Sequence, residues 1–95
     1  MKHILHYLIA ATRGGEMRAR ILKLIRKKPS NLNQISSSLK IDYKTAQHHI
    51  RVLEKNRIIL AINKGNYGAA YYIAPEMKEE ISIIDAIWNE SGKNN

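Results

Sequence analysis

A chain of 95 residues with no cysteine holds one small domain and excludes disulfides, thiolate metal sites and cysteine nucleophiles. Its 16 Lys and Arg against 8 Asp and Glu give +8 overall. The charge is uneven: +7 over residues 1–28 (eight against one), +4 over 29–75 (six against two) and −3 over 76–95 (two against five), so a polyanion partner is expected for the first three quarters only.

Ile4, Leu5, Leu8, Ile9 and Ala11 keep helical spacing and predict a short apolar helix over 3–11. That segment is too short to span a bilayer and lacks a signal-cleavage pattern, so a cytoplasmic protein without a membrane partner is expected. Gly14 and Gly15 break the pattern, and a second helix is predicted over 15–28, with Met17, Ile21, Leu24 and Ile25 inward and Pro29 as its stop. Asn31 with Gln34 three residues on has the form of a capping box, and Leu32, Ile35 and Leu39 form the stripe of a third helix. Asp42 offers the next cap, and "YKTAQHHIRVLEKN" follows without a breaker. Two capped helices separated by Lys40 and Ile41 predict a helix-turn-helix over 31–57.

Beyond Arg57 the composition turns to Ile and Tyr around "KGNYG", which predicts a β-hairpin over 58–74 with its tip at Lys64 to Gly68. Pro75 and Glu76 open a last helix over 76–91, with Met77, Ile81, Ile84, Ile87 and Trp88 on one broad stripe. The predicted fold is mainly α with a small β-hairpin: a winged helix-turn-helix with an additional helix at each end.

The adjacent His48 and His49 raise the question of a metal or catalytic site. Helical residues advance by about 100° each, so with Ala46 facing the core, Ile50 and Leu53 fall within about 40° of it. His49 then stands about 60° aside and His48 about 160° away. The two side chains diverge, which excludes a shared ion and a catalytic pair. His49 is expected at the core edge, packed and hydrogen-bonded. His48 joins Lys44, Arg51 and Lys55 on the outer face, flanked by Gln47 and Thr45.

That outer face suits a major groove. Arg51 and Lys44 can meet phosphate or guanine, Gln47 can pair with adenine, and Tyr43 and Thr45 can reach phosphate or a thymine methyl. At the hairpin tip, Lys64, Asn66 and Tyr67 are candidates for the backbone or the minor groove. Arg13 and Arg18 are further phosphate candidates. The first and last helices are wider in apolar surface than a single winged-helix core covers. Ile4, Leu5 and Leu8, with Met77, Ile81, Ile84, Ile87 and Trp88, are therefore expected at a two-fold dimer interface. His3 and His6 at i, i+3 lack a third ligand, and neither a metal nor a cofactor is expected.

The segments "RARILKLIRKKP", "NQISSSLKIDYKTAQHHIRVLEKNRII" and "GNYGAAYYIAPEM" resemble archaeal members of the ArsR-like winged helix-turn-helix regulators, over roughly residues 12–78. The resemblance implies a homodimeric transcription regulator that reads duplex DNA with Tyr43 to Asn56. The chain departs from the family at three places. Lys40 and Arg57 stand where glycine is frequent, and either Arg57 or Asn56 is expected to take the left-handed conformation at the second place. The cysteines of the family's metal sensors are absent, and residues 76–95 contain no histidine. A nonspecific nucleic-acid protein, or a winged helix used for protein contacts, are the alternatives. No nucleophile–base pair, carboxylate pair or phosphate loop supports an enzyme.

Overall fold

The computed structural model describes residues 2–63, 68–83 and 86. Its first helix, α1 (Lys2–Ala10), turns Leu5, Leu8 and Ile9 inward and leaves Tyr7 54% exposed. It lies on α2 (Gly15–Lys27), which buries Ile21, Leu22 and Ile25. The corner between them depends on a missing side chain: a Cβ on Gly15 would stand 1.8 Å from the Ile9 carbonyl oxygen. Only glycine lets the second helix start that close to the end of the first.

After Pro29, Ser30–Asn31 forms a two-residue strand, β1, and Asn31 also caps α3 (Leu32–Leu39). The capping box is complete: Gln34 N donates to Asn31 Oδ1 at 2.8 Å and Asn31 N donates to Gln34 Oε1 at 2.8 Å. The helix ends at Lys40, left-handed at φ 57°, and Ile41 N reaches back to the Ser36 carbonyl at 3.1 Å. Asp42 then caps α4 (Tyr43–Lys55), accepting from Thr45 N at 3.2 Å and from the Thr45 hydroxyl at 2.9 Å. α4 stops in the same way as α3, with Arg57 at φ 61° and Ile58 N bonded to the Leu53 carbonyl at 3.0 Å. Asn56, at φ −92°, does not take the left-handed conformation; its side chain donates to the Val52 carbonyl instead.

β2 (Ile59–Ile62) and β3 (Ala70–Ile73) pair antiparallel, Ile59 opposite Ile73 and Ile62 opposite Ala70. β1 joins the far side of β3, with Ser30 opposite Tyr71, giving the order β1-β3-β2. The expected hairpin is thus the larger part of a three-stranded sheet. Its third strand was missed because two residues are too few to show an alternation. A 3-10 turn, Pro75–Met77, leads into helical residues 78–83, here α5.

The core is continuous across these elements. Ile21 and Ile25 of α2, Ile35 of α3, Ile50 and Leu53 of α4, Ile59 of β2 and Ile73 of β3 belong to one buried cluster. Leu5 and Met77, each 0% exposed, and Ile81 belong to it as well. This corrects part of the expected dimer interface. Leu5, Leu8, Met77 and Ile81 are already covered within the chain, because a core of three helices and a small sheet leaves one side bare and α1 and α5 close it. Ile4 is only partly buried against the cluster. Among the described residues, the large apolar side chains left exposed on these end helices are Tyr7 and Ile83, the latter 55% exposed. Ile84, Ile87 and Trp88 lie outside the described residues.

Candidate nucleic-acid interface

α4 presents two faces of opposite character. Ala46, His49, Ile50 and Leu53 are buried, whereas Lys44, Thr45, His48, Arg51 and Lys55 are exposed and Gln47 is half-buried. The division follows the helical spacing, since apolar residues at i, i+4 and i+7 fix one face and leave the cations opposite. Tyr43, 46% exposed, stands at the N-terminal end of the same surface. The turn between α3 and α4 is short, and Ile41 packs against the core, so the exposed face is held by buried residues on both helices of the motif.

Arg13 is exposed in the turn before α2 and remains available to a polyanion. Arg18 is not. Expected as a phosphate contact, it is 5% exposed. Its Nε donates to the Leu8 carbonyl at 3.1 Å, its Nη1 to His49 Nδ1 at 3.1 Å, and its Nη2 to the Thr12 hydroxyl. The reason was present in the spacing: Arg18 stands three, four and seven residues before Ile21, Leu22 and Ile25, on the inner stripe of α2. Burial lowers the Arg18 guanidinium from its ordinary value, and it remains charged.

His49 is the packed, hydrogen-bonded side chain expected at the core edge, 8% exposed. Burial first, then the Arg18 charge, then His48 hold its imidazole below the ordinary histidine range. Its ring centroid lies 5.2 Å from that of His48, with the planes tilted by 58°. No group of three His, Cys, Asp or Glu among the described residues is arranged to hold a metal ion.

The wing-tip candidates Lys64, Asn66 and Tyr67 lie outside the described residues. Asn31, Asn33 and Tyr43 face Gly68 and Ala69 across a cleft of about 350 Å³. This cleft has no signal in the sequence, because it depends on β1 bringing the start of α3 next to β3.

Residues 15–60 match the model of the bacterial regulatory protein, arsR family. No curated protein matches the chain. Among solved structures, the chain is similar to Mb0332 of Mycobacterium bovis, described as a homodimeric winged helix-turn-helix DNA-binding domain of a possible ArsR-family transcriptional regulator. That match has a TM-score of 0.76 at 17% identity and covers 94% of this chain and 80% of the other. Reduced HlyU from Vibrio cholerae gives 0.73 at 17% identity over 92% and 88%. FabT from Streptococcus pneumoniae, in complex with DNA, gives 0.63 at 14% identity over 97% and 66%. The archaeal side of the resemblance rests on the sequence motifs alone. In this chain a helix-turn-helix similar to the arsR family model over residues 15–60 is carried on a winged-helix fold.

Proposed function

We propose that the protein is a homodimeric transcription regulator that lays α4 in the major groove of duplex DNA. The observation that carries this is the cationic outer face of α4, placed by two capped helix ends and a short turn in the arsR-type motif. Lys44 and Arg51 meet phosphate or guanine, Gln47 and His48 address base edges, and Tyr43, Thr45 and Lys55 flank them. Arg13 adds a phosphate contact, and the wing residues Lys64, Asn66 and Tyr67 meet the backbone or the minor groove. Arg18 is left out, since its donors are used inside the protein.

The dimer forms through the end helices. Ile4 and the exposed Tyr7 and Ile83 supply the described part of that surface, and Ile84, Ile87 and Trp88 extend the stripe. A two-fold dimer places two reading helices about 34 Å apart, which matches a palindromic site. The homodimeric Mycobacterium bovis domain supports this reading. The cytoplasm suits such a role, and among the described residues no helix is long and apolar enough to cross a membrane.

Selection of binding sites from random duplex DNA, with light scattering on the free protein, tests the proposal. A palindromic consensus and a dimer mass are expected, with a log–log salt slope of about −0.9 per phosphate neutralised. Affinity indifferent to sequence would move the reading to an architectural protein. No binding at low salt would move it to a winged helix used for protein contacts.

A further inference from the structure

Arg18 and His49 lie behind the outer face of α4, yet together they join three pieces of chain. Arg18 reaches from α2 to the Leu8 carbonyl of α1, to the Thr12 hydroxyl in the turn and to His49 of α4. A guanidinium has donors only, so the imidazole accepts through an unprotonated Nδ1 and carries its proton on Nε2. Gly14 closes over the pair. A Cβ there would stand 2.7 Å from His49 Cε1 and 2.8 Å from Arg18 Nη1, so the junction has little slack on that side.

The charged and titratable groups facing His49 are Arg18 from α2 and His48 from α4 itself. The α1 side contributes a carbonyl and the turn a hydroxyl, neither of which titrates. Among the described residues no carboxylate is paired with Arg18 or His49. A proton on Nδ1 therefore removes the acceptor and sets a second cation beside one that is already buried. Because the surroundings disfavour the charged imidazole, the hydrogen bond is intact at neutral pH and is lost only on acidification.

We propose that Arg18 and His49 are positioning residues for DNA binding: their hydrogen bond ties the reading helix to α1, and protonation of His49 releases the tie and weakens the hold on DNA. This rests on the function proposed above. The sign distinguishes it from a general charge effect. Acid ordinarily tightens the grip of a basic protein on phosphates, because histidines gain charge. Here it loosens the grip.

The test is the affinity for the selected duplex, or for a mixed-sequence duplex at low salt, from pH 7.5 to pH 5 at fixed ionic strength. Wild type, His49→Asn and His48→Asn are compared; the asparagine oxygen at 49 can replace the Nδ1 acceptor and does not titrate. Wild type and His48→Asn should lose up to about tenfold in affinity per pH unit as His49 protonates, and His49→Asn should not. Equal pH slopes in wild type and His49→Asn overturn the proposal. A second measurement needs neither DNA nor a variant: an NMR titration in which the His49 imidazole and the backbone amides of α1 and Thr12 should change with one midpoint. An α1 that ignores the titration of His49 overturns the tie. If α1 follows His49 but no duplex binds at any pH, the tie stands and its role in DNA binding falls together with the proposed function.

Discussion

The outer face of α4 and the corner where α1 meets α2 are both basic in sequence, and the structure uses their charges in opposite ways. On α4, Lys44, Arg51 and Lys55 stand in solvent, opposite a buried stripe of Ala46, Ile50 and Leu53. At the corner, Arg13 is exposed, but Arg18 turns inward and uses its donors on a carbonyl, a hydroxyl and an imidazole. A positive charge in a basic segment is therefore not by itself a phosphate contact. What decides is whether the residue shares the helical phase of the apolar stripe.

Substitutions on the two regions should separate these uses. Gly15→Ala is expected to have the largest effect, because its Cβ meets backbone that cannot turn aside. A loss of about 3 kcal/mol or more in stability is predicted by urea unfolding, or a chain that does not fold. Arg18→Met keeps length and apolar contact but strands His49 Nδ1 and leaves the Leu8 carbonyl with the Thr12 hydroxyl, and should cost about 1–2 kcal/mol. Should Arg18→Met match wild type in unfolding midpoint while losing DNA affinity, the contrast between the regions collapses. Arg51→Ala should leave stability untouched. Its unfolding midpoint should stay where it was, while affinity for a selected site falls about tenfold and the salt slope drops by about one, read by fluorescence anisotropy. The smallest effect belongs to the hinge of the motif: Lys40→Gly relieves a left-handed residue and should stabilise by up to about 1 kcal/mol. A destabilised Lys40→Gly variant would mean that the lysine side chain holds the turn.

Much of this organisation was legible in the residues. The two faces of α4 follow from its apolar spacing, which also buries His49 and exposes His48, but the rings do not diverge as the helical angles suggest and stand 5.2 Å apart. Asn31, Gln34 and Asp42 announced their helix starts, since capping is a local hydrogen bond between near neighbours in the chain. The features that were hidden depend on distant partners. β1 exists only because Ser30 and Asn31 find Tyr71 and Ala70. The covering of Leu5 and Met77 depends on how much of the core the other helices leave bare. Arg18 differs from these, since its place on the buried stripe of α2 is visible in the spacing and its phase, not its charge, decides where it points.

The end of α1 has a further consequence. The last carbonyls of a helix carry a partial negative charge, equivalent to roughly half an electron. Arg18 Nε donates to one of them, Leu8. The buried guanidinium, which has no carboxylate partner among the described residues, thus rests against the negative pole of a short helix. Detaching α1 would expose apolar surface and also remove the counter-charge that lets a cation sit beneath α4. Nine residues that look like an apolar cover are an electrostatic part of the fold.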